Sequence, residues 1–108
     1  MAQTHKVLGQ SNPPATTLTT LYTVPSGASA ICSTLSVCNL GVSATFRIAV
    51  RPSGASISNQ HYLIYDAILN ADDSFYLTLG LSLAATDVVS IYSSTNTVAF
   101  SLFGVELS

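Results

Sequence analysis

Two histidines, five carboxylates, two cysteines and three basic residues are all that this 108-residue chain offers for acid–base, nucleophilic or metal chemistry. His61 and Asp66 share one extended segment. Their spacing of five places them on opposite faces of a strand, which separates a would-be acid–base pair. His61 reads instead as a strand-end residue making one hydrogen bond. No Gly-x-Ser-x-Gly elbow marks out any of the 16 serines, and no glycine-rich phosphate loop occurs. Asp72 and Asp73 lie near Asn70, which raises the question of calcium. A hard-cation loop needs more oxygens at set spacing, and no glycine or distal Glu completes such a set here. These residues read as turn caps, as does Asp87. Cys32 and Cys38 match no zinc or redox spacing. On one strand they would share a face roughly 20 Å apart, far beyond disulfide reach, so both are expected as free thiols. The expectation is a non-enzymatic chain with no catalytic residue, no metal and no cofactor.

Two arginines stand out for another reason. Arg47 and Arg51 share the outward face of one strand, roughly 13 Å apart by strand rise. They read either as gatekeepers against edge pairing or as a docking contact with an acidic partner. The tyrosines suit interfaces, having an apolar body and a polar tip. Tyr62 and Tyr65, three apart, are expected on opposite faces. The interface candidates are Leu8, Pro13, Pro14, Tyr22, Arg47, Arg51 and Tyr62.

The elements that must position these residues are strands. Thr, Val, Ile, Tyr and Phe dominate, and no 3.6-residue periodicity is sustained. Strands are expected at His5–Leu8, Leu18–Val24, Ala30–Asn39, Thr45–Arg51, His61–Asp66, Phe75–Leu79, Leu81–Ala84, Val88–Ser93 and Val98–Leu107. Pro-Ser-Gly turns at Pro25–Gly27 and Pro52–Gly54 separate some of them. Thr45–Arg51 alternates most cleanly, with Phe46, Ile48 and Val50 facing a core. In the third strand Ile31, Leu35 and Val37 are expected on one face, with Ala30, Cys32 and Cys38 on the other. The last strand is apolar on both faces, so it belongs in the middle of a sheet or at an interface. The fold expected is all-β: an antiparallel sandwich or jelly roll of about eight strands. Residues 1–16, with the Pro13-Pro14 pair, read as an extended N-terminal arm or connector, and residues 17–108 as a single sandwich domain.

Charged residues are only 7% of the chain and apolar residues 48%, against about 25% charged in ordinary soluble domains. Sixteen Ser and twelve Thr carry the polarity instead. A net charge of −2 gives little mutual repulsion, so the surface favours association with copies of itself or a partner. Three basic residues give no footprint for nucleic acid. No run approaches the roughly 18 apolar residues of a spanning helix. The first ten residues hold no signal-peptide core, so assembly in a cytoplasm is expected, away from membranes.

Leu21-Tyr22-Thr23-Val24-Pro25-Ser26-Gly27, then Ser36–Asn39, Phe46–Pro52, Asp87–Tyr92 and Phe103–Glu106, form an ordered set. This order resembles small virion structural proteins of tailed phages, of the capsid decoration or cement type. The resemblance runs along most of the chain after residue 16, through strand-and-turn signatures and no active site. It implies a virion protein assembled in the host cytoplasm. Such a protein binds as a homo-oligomer, a trimer first, to the major capsid protein or another virion component. It would sit at capsomer junctions and stabilise the shell. The alternatives are a tail, neck or fibre-attachment sandwich, and a carbohydrate-binding host-recognition module, against which the absence of Trp counts.

Overall fold

The computed structural model describes residues 3–108, with the side chain of Leu79 excepted. Eight strands run β1 (Gln3–Ser11), β2 (Thr19–Thr23), β3 (Ser29–Asn39), β4 (Ala44–Arg51), β5 (Tyr62–Leu69), β6 (Ser74–Leu83), β7 (Val88–Ser93) and β8 (Val98–Leu107). Two short 3-10 turns, Pro52–Gly54 and Asn59–His61, interrupt the connection from β4 to β5. The strands form two four-stranded sheets, ordered β1-β8-β3-β6 and β2-β7-β4-β5. All pairings are antiparallel. That order is the eight-stranded jelly roll, two packed sheets linked by crossing Greek-key connections.

Alternation explains the core. Phe46 and Ile48 of β4 are buried, and Val50 packs against them, as the period-two pattern predicts. They meet Val98, Phe100 and Leu102 of β8 and Leu35 and Val37 of β3. Phe46 bridges the two sheets: its ring centroid lies 5.8 Å from Phe75 and 6.3 Å from Phe100, both at tilted or edge-on angles. The expected central place of β8 holds, between β1 and β3.

Three expectations are corrected. The arm is a strand: Gln3–Ser11 pairs with β8 along its length, and Pro13 is fully buried. β1 satisfies backbone groups that β8 would otherwise leave open at an edge, so the division at residue 16 falls inside the sandwich. Ile31 is exposed while Ala30 and Cys32 are buried, because β3 carries a bulge between Cys32 and Thr34. One extra residue reverses the facing of everything beyond it. Cys32 therefore faces the core, where burial pushes its thiol up to about 11, while Cys38 lies on the opposite face; both are free thiols. Leu81–Ala84 is not a separate strand: Leu81–Leu83 continue β6 past an irregularity near Gly80.

The bulges line up. β1 shifts between Val7 and Gly9, β3 between Cys32 and Thr34, and β6 between Thr78 and Leu81. The β3 shift lies level with the Phe103–Gly104 step of β8, and the β1 shift one residue away, at Leu102–Phe103. A Cβ on Gly104 would sit 2.2 Å from the Ile31 carbonyl oxygen, so only glycine lets β8 approach the bulged part of β3 this closely.

One buried polar side chain ties three turns together. The Asn39 amide donates to the carbonyls of Val42, Leu69 and Asn70, and its oxygen accepts from the Gly41 amide and the Thr97 hydroxyl. These groups belong to the β3–β4, β5–β6 and β7–β8 turns. Replacing Asn39 with Ala strands several of them without partners, at a cost of about 3 kcal/mol. Calorimetry of Asn39→Ala is expected to show Tm lowered by roughly 12–20 °C. Thr97→Val, which removes one of these bonds, should cost about 1 kcal/mol.

Candidate functional site

The outer face of the sheet β2-β7-β4-β5 holds the charged and aromatic cluster of the molecule. Alternation turns Thr45, Arg47, Ala49 and Arg51 of β4 outward, and register sets Arg47 beside Tyr92 of β7. On the other side, β5 is irregular. Phe46 pairs with Ala67 and Ile48 with Ile64, so the two residues Tyr65 and Asp66 stand opposite Arg47 alone. Asp66 adopts φ 54°, the left-handed conformation that a short polar side chain tolerates. This bulge brings two functional groups to one guanidinium.

Arg47 is accordingly surrounded. Its Nε donates to Asp66 Oδ1 at 2.6 Å and its Nη2 to Oδ2 at 3.2 Å. Its guanidinium carbon lies 4.2 Å from the Tyr65 ring centroid and 4.1 Å from that of Tyr92. The planar fork matches the carboxylate, and its faces match the rings, as an ammonium could not. The hydrogen-bonded Asp66 carboxylate raises the guanidinium's already high affinity for its proton.

Arg51 also faces inward contacts of its own. Nε donates to Ser90 Oγ at 3.1 Å, and Nη1 to the carbonyls of Gly54 and Ala55 at 3.4 and 3.0 Å. It thereby holds the β4–β5 connection down on the sheet. That cover explains why Ala49 and Ser90, on an outer face, are nonetheless buried. His61 closes the connection: its Nδ1 accepts from the Ser58 amide, the single bond expected of it. The outward arginines thus both bind this chain's own groups: Arg47 is neutralised by Asp66, while Arg51 meets neutral oxygens and has no acidic partner among the described residues.

Beside the cage lies an open cleft of about 480 Å³ lined by Asn59, Tyr62 and Tyr65. The two rings are 4.9 Å apart at 85°, so one stands against the other. The expectation that they face opposite sides fails because β5 is bulged twice, once around Leu63 and once at Tyr65–Asp66. A spacing of three then returns to the same face.

The remaining interface candidates separate. Tyr22 is buried, and its hydroxyl donates to Glu106 Oε2 at 2.6 Å. Leu8 packs against the core and Pro13 is buried, so both face the interior, whereas Pro14 is exposed. Glu106 also takes Lys6 Nζ at 3.2 Å, across the β1–β8 pair. The tyrosine hydroxyl and then the ammonium hold the Glu106 carboxyl below the usual carboxylate range, while burial and the adjacent carboxylate keep the Tyr22 phenol protonated. Asp87 accepts from the Ser53 and Ala84 amides, and Asp73 from Ser74, which is turn capping as expected. The sequence sets Asp66 beside His61 and Tyr65 against Tyr62, and singles out neither Tyr92 nor Asn59; only a bulge places Tyr65 and Asp66 beside Arg47, and no residue pattern marks it.

Arg47→Lys keeps the charge and loses the fork and the stacking. Thermal unfolding should show a loss of about 1–2 kcal/mol, with a coupling near 1 kcal/mol to Asp66→Asn in a double-mutant cycle. Glu106 has a depressed folded pKa, so it stabilises the fold above its unfolded value of about 4.3 and loses that contribution as pH falls. In Tm profiles from neutral to acid pH, Tyr22→Phe removes the donor that lowers Glu106 most, so the stability that Glu106 loses below about pH 4.3 shrinks and the acid-side decline should be shallower than in the parent. No protein-family model, curated protein or solved structure matches this chain.

Proposed function

We propose that this chain is a non-enzymatic structural protein of a virion, of the capsid cement kind. In this reading the outer face of the sheet β1-β8-β3-β6 is the subunit contact of a symmetric homo-oligomer, a trimer, that docks on the capsid shell. The observation that supports docking is the chemistry of that face. Across the strands its rows read His5–Val105–Ile31–Ser82, Val7–Phe103–Thr34–Thr78 and Gln10–Ser101–Ser36–Tyr76. Among the described residues it presents no Asp, Glu, Lys or Arg. The acidic and basic side chains lie elsewhere: Lys6 with Glu106, Arg47 with Asp66, Arg51 on its loop, and Asp72, Asp73 and Asp87 in turns.

An uncharged, flat, four-stranded face can be dehydrated without stranding ions. Ile31 and Val7 are exposed on it, at 44% and 47%. With strands about 4.8 Å apart and about eight residues long, it measures roughly 500 Å². A stable interface takes about 800 Å² per partner, so the face supplies most of one, and its rim the rest. Repetition over a shell would turn modest contacts into large total stability. The resemblance of the motif order to phage virion proteins supports the virion setting, and the same face would serve a tail or neck position with fewer copies.

Light scattering after size exclusion tests the docking face. The parent chain is expected at three times its 11.3 kDa. Ile31→Lys with Val105→Lys is expected to elute as a monomer with an unchanged circular dichroism spectrum. A monomeric parent chain, or a double variant that still assembles, would overturn the reading. Copy number per virion separates shell from tail.

A further inference from the structure

We propose that the cleft beside the Arg47 cage binds an uncharged saccharide. It lies on the sheet β2-β7-β4-β5, on the opposite side of the sandwich from the proposed docking face, and stands independently of that reading.

Three features carry this. The first is shape: about 480 Å³ is within the usual range for small-ligand sites. Its two rings form a corner at 85°, a floor and a wall that suit a block-shaped pyranose. An extended proline-rich strip needs a straight groove instead.

Rigidity is the second. Tyr65 is 58% exposed, yet its ring is stacked on Arg47 at 4.2 Å. Arg47 is fixed in turn by two bonds to Asp66 and by Tyr92. Asn59 sits in a 3-10 turn whose Ser58 and His61 ends are mutually hydrogen-bonded. An exposed aromatic platform held in place before binding loses little freedom on binding.

The third is charge. The ions nearest the platform, Arg47 and Asp66, close on each other. A phosphate or carboxylate ligand therefore finds no free cation. What the lining offers is two phenol rings, two hydroxyl tips and one amide able both to donate and to accept. A ligand with a flat C–H face and hydroxyls around its edge meets all of these at once.

The test is a glycan array carrying neutral oligosaccharides, followed by ¹H–¹⁵N titration of the intact chain with the best binder and, separately, with decaproline. A dissociation constant of about 1 mM is expected, with saturable shifts at Asn59, Tyr62 and Tyr65. Tyr65→Ala should weaken binding at least tenfold and Asn59→Ala severalfold, while Tyr76→Ala, an exposed tyrosine of the other sheet, should bind as the parent does. Tyr65→Ala removes one of the two rings on Arg47 but leaves its Asp66 bonds and Tyr92 in place, and an unchanged circular dichroism spectrum checks that the fold is kept. The proposal fails if no neutral glycan binds saturably, if Tyr65→Ala binds with parental affinity, or if decaproline alone perturbs these residues.

Discussion

A strand shows successive side chains to opposite faces, and each bulge inserted into it reverses that order. In this molecule the reversals are concentrated at one level of one sheet and in the two edge strands, β2 and β5, of the other. β8 runs through its sheet uninterrupted, and β1, β3 and β6 each change register at the level of its Leu102–Gly104 stretch. Below that level β3 buries Leu35 and Val37; above it, Ala30 and Cys32. Without the bulge Ile31 would enter the core and Cys32 would leave it. Gly104 makes the arrangement sterically feasible by leaving room for the Ile31 carbonyl.

The same device does different work in β5. There it adds residues on an edge strand, where no outer neighbour constrains them. Two consecutive side chains, one aromatic and one acidic, then reach a single arginine. The ion pair is partly exposed, so its Coulomb energy alone is small. Its effect comes from geometry: fork against carboxylate, and plane against two rings. That geometry fixes Tyr65, and with Tyr62 and Asn59 it shapes the cleft.

Scarce charge and its placement link the two outer faces. Each sheet has one face in the core and one outside. Arg47 of β4 and Asp66 of β5 neutralise one another on one outer face, while Lys6 and Glu106 meet at the β1–β8 edge. The other outer face is left to Ser, Thr and aliphatic side chains with His5, Gln10, Phe103 and Tyr76 among them. One face is thus suited to a broad dry contact and the other to a small polar ligand, on a scaffold whose rigidity rests on Phe46 between the sheets and Asn39 across three turns.

What the sequence determined by itself was whatever depends on neighbours along the chain. The alternation of Phe46, Ile48 and Val50 assigns their face, Pro-Ser-Gly marks turns, and the two apolar faces of the last strand place it centrally. Low charge is a property of composition and needs no coordinates. Tertiary structure decided what depends on register between strands. Whether Gln3–Ser11 is a free arm or an edge strand turns on β8 offering it a ladder. Whether Ile31 or Cys32 is inside turns on one inserted residue, and whether Tyr65 meets Tyr62 and Arg47 turns on two. The physical reason is that a bulge is fixed by pairing between strands. Gly9, Gly80 and Gly104 lie at the bulges of the first sheet, those of β5 carry no such mark, and each moves every side chain beyond it to the other face.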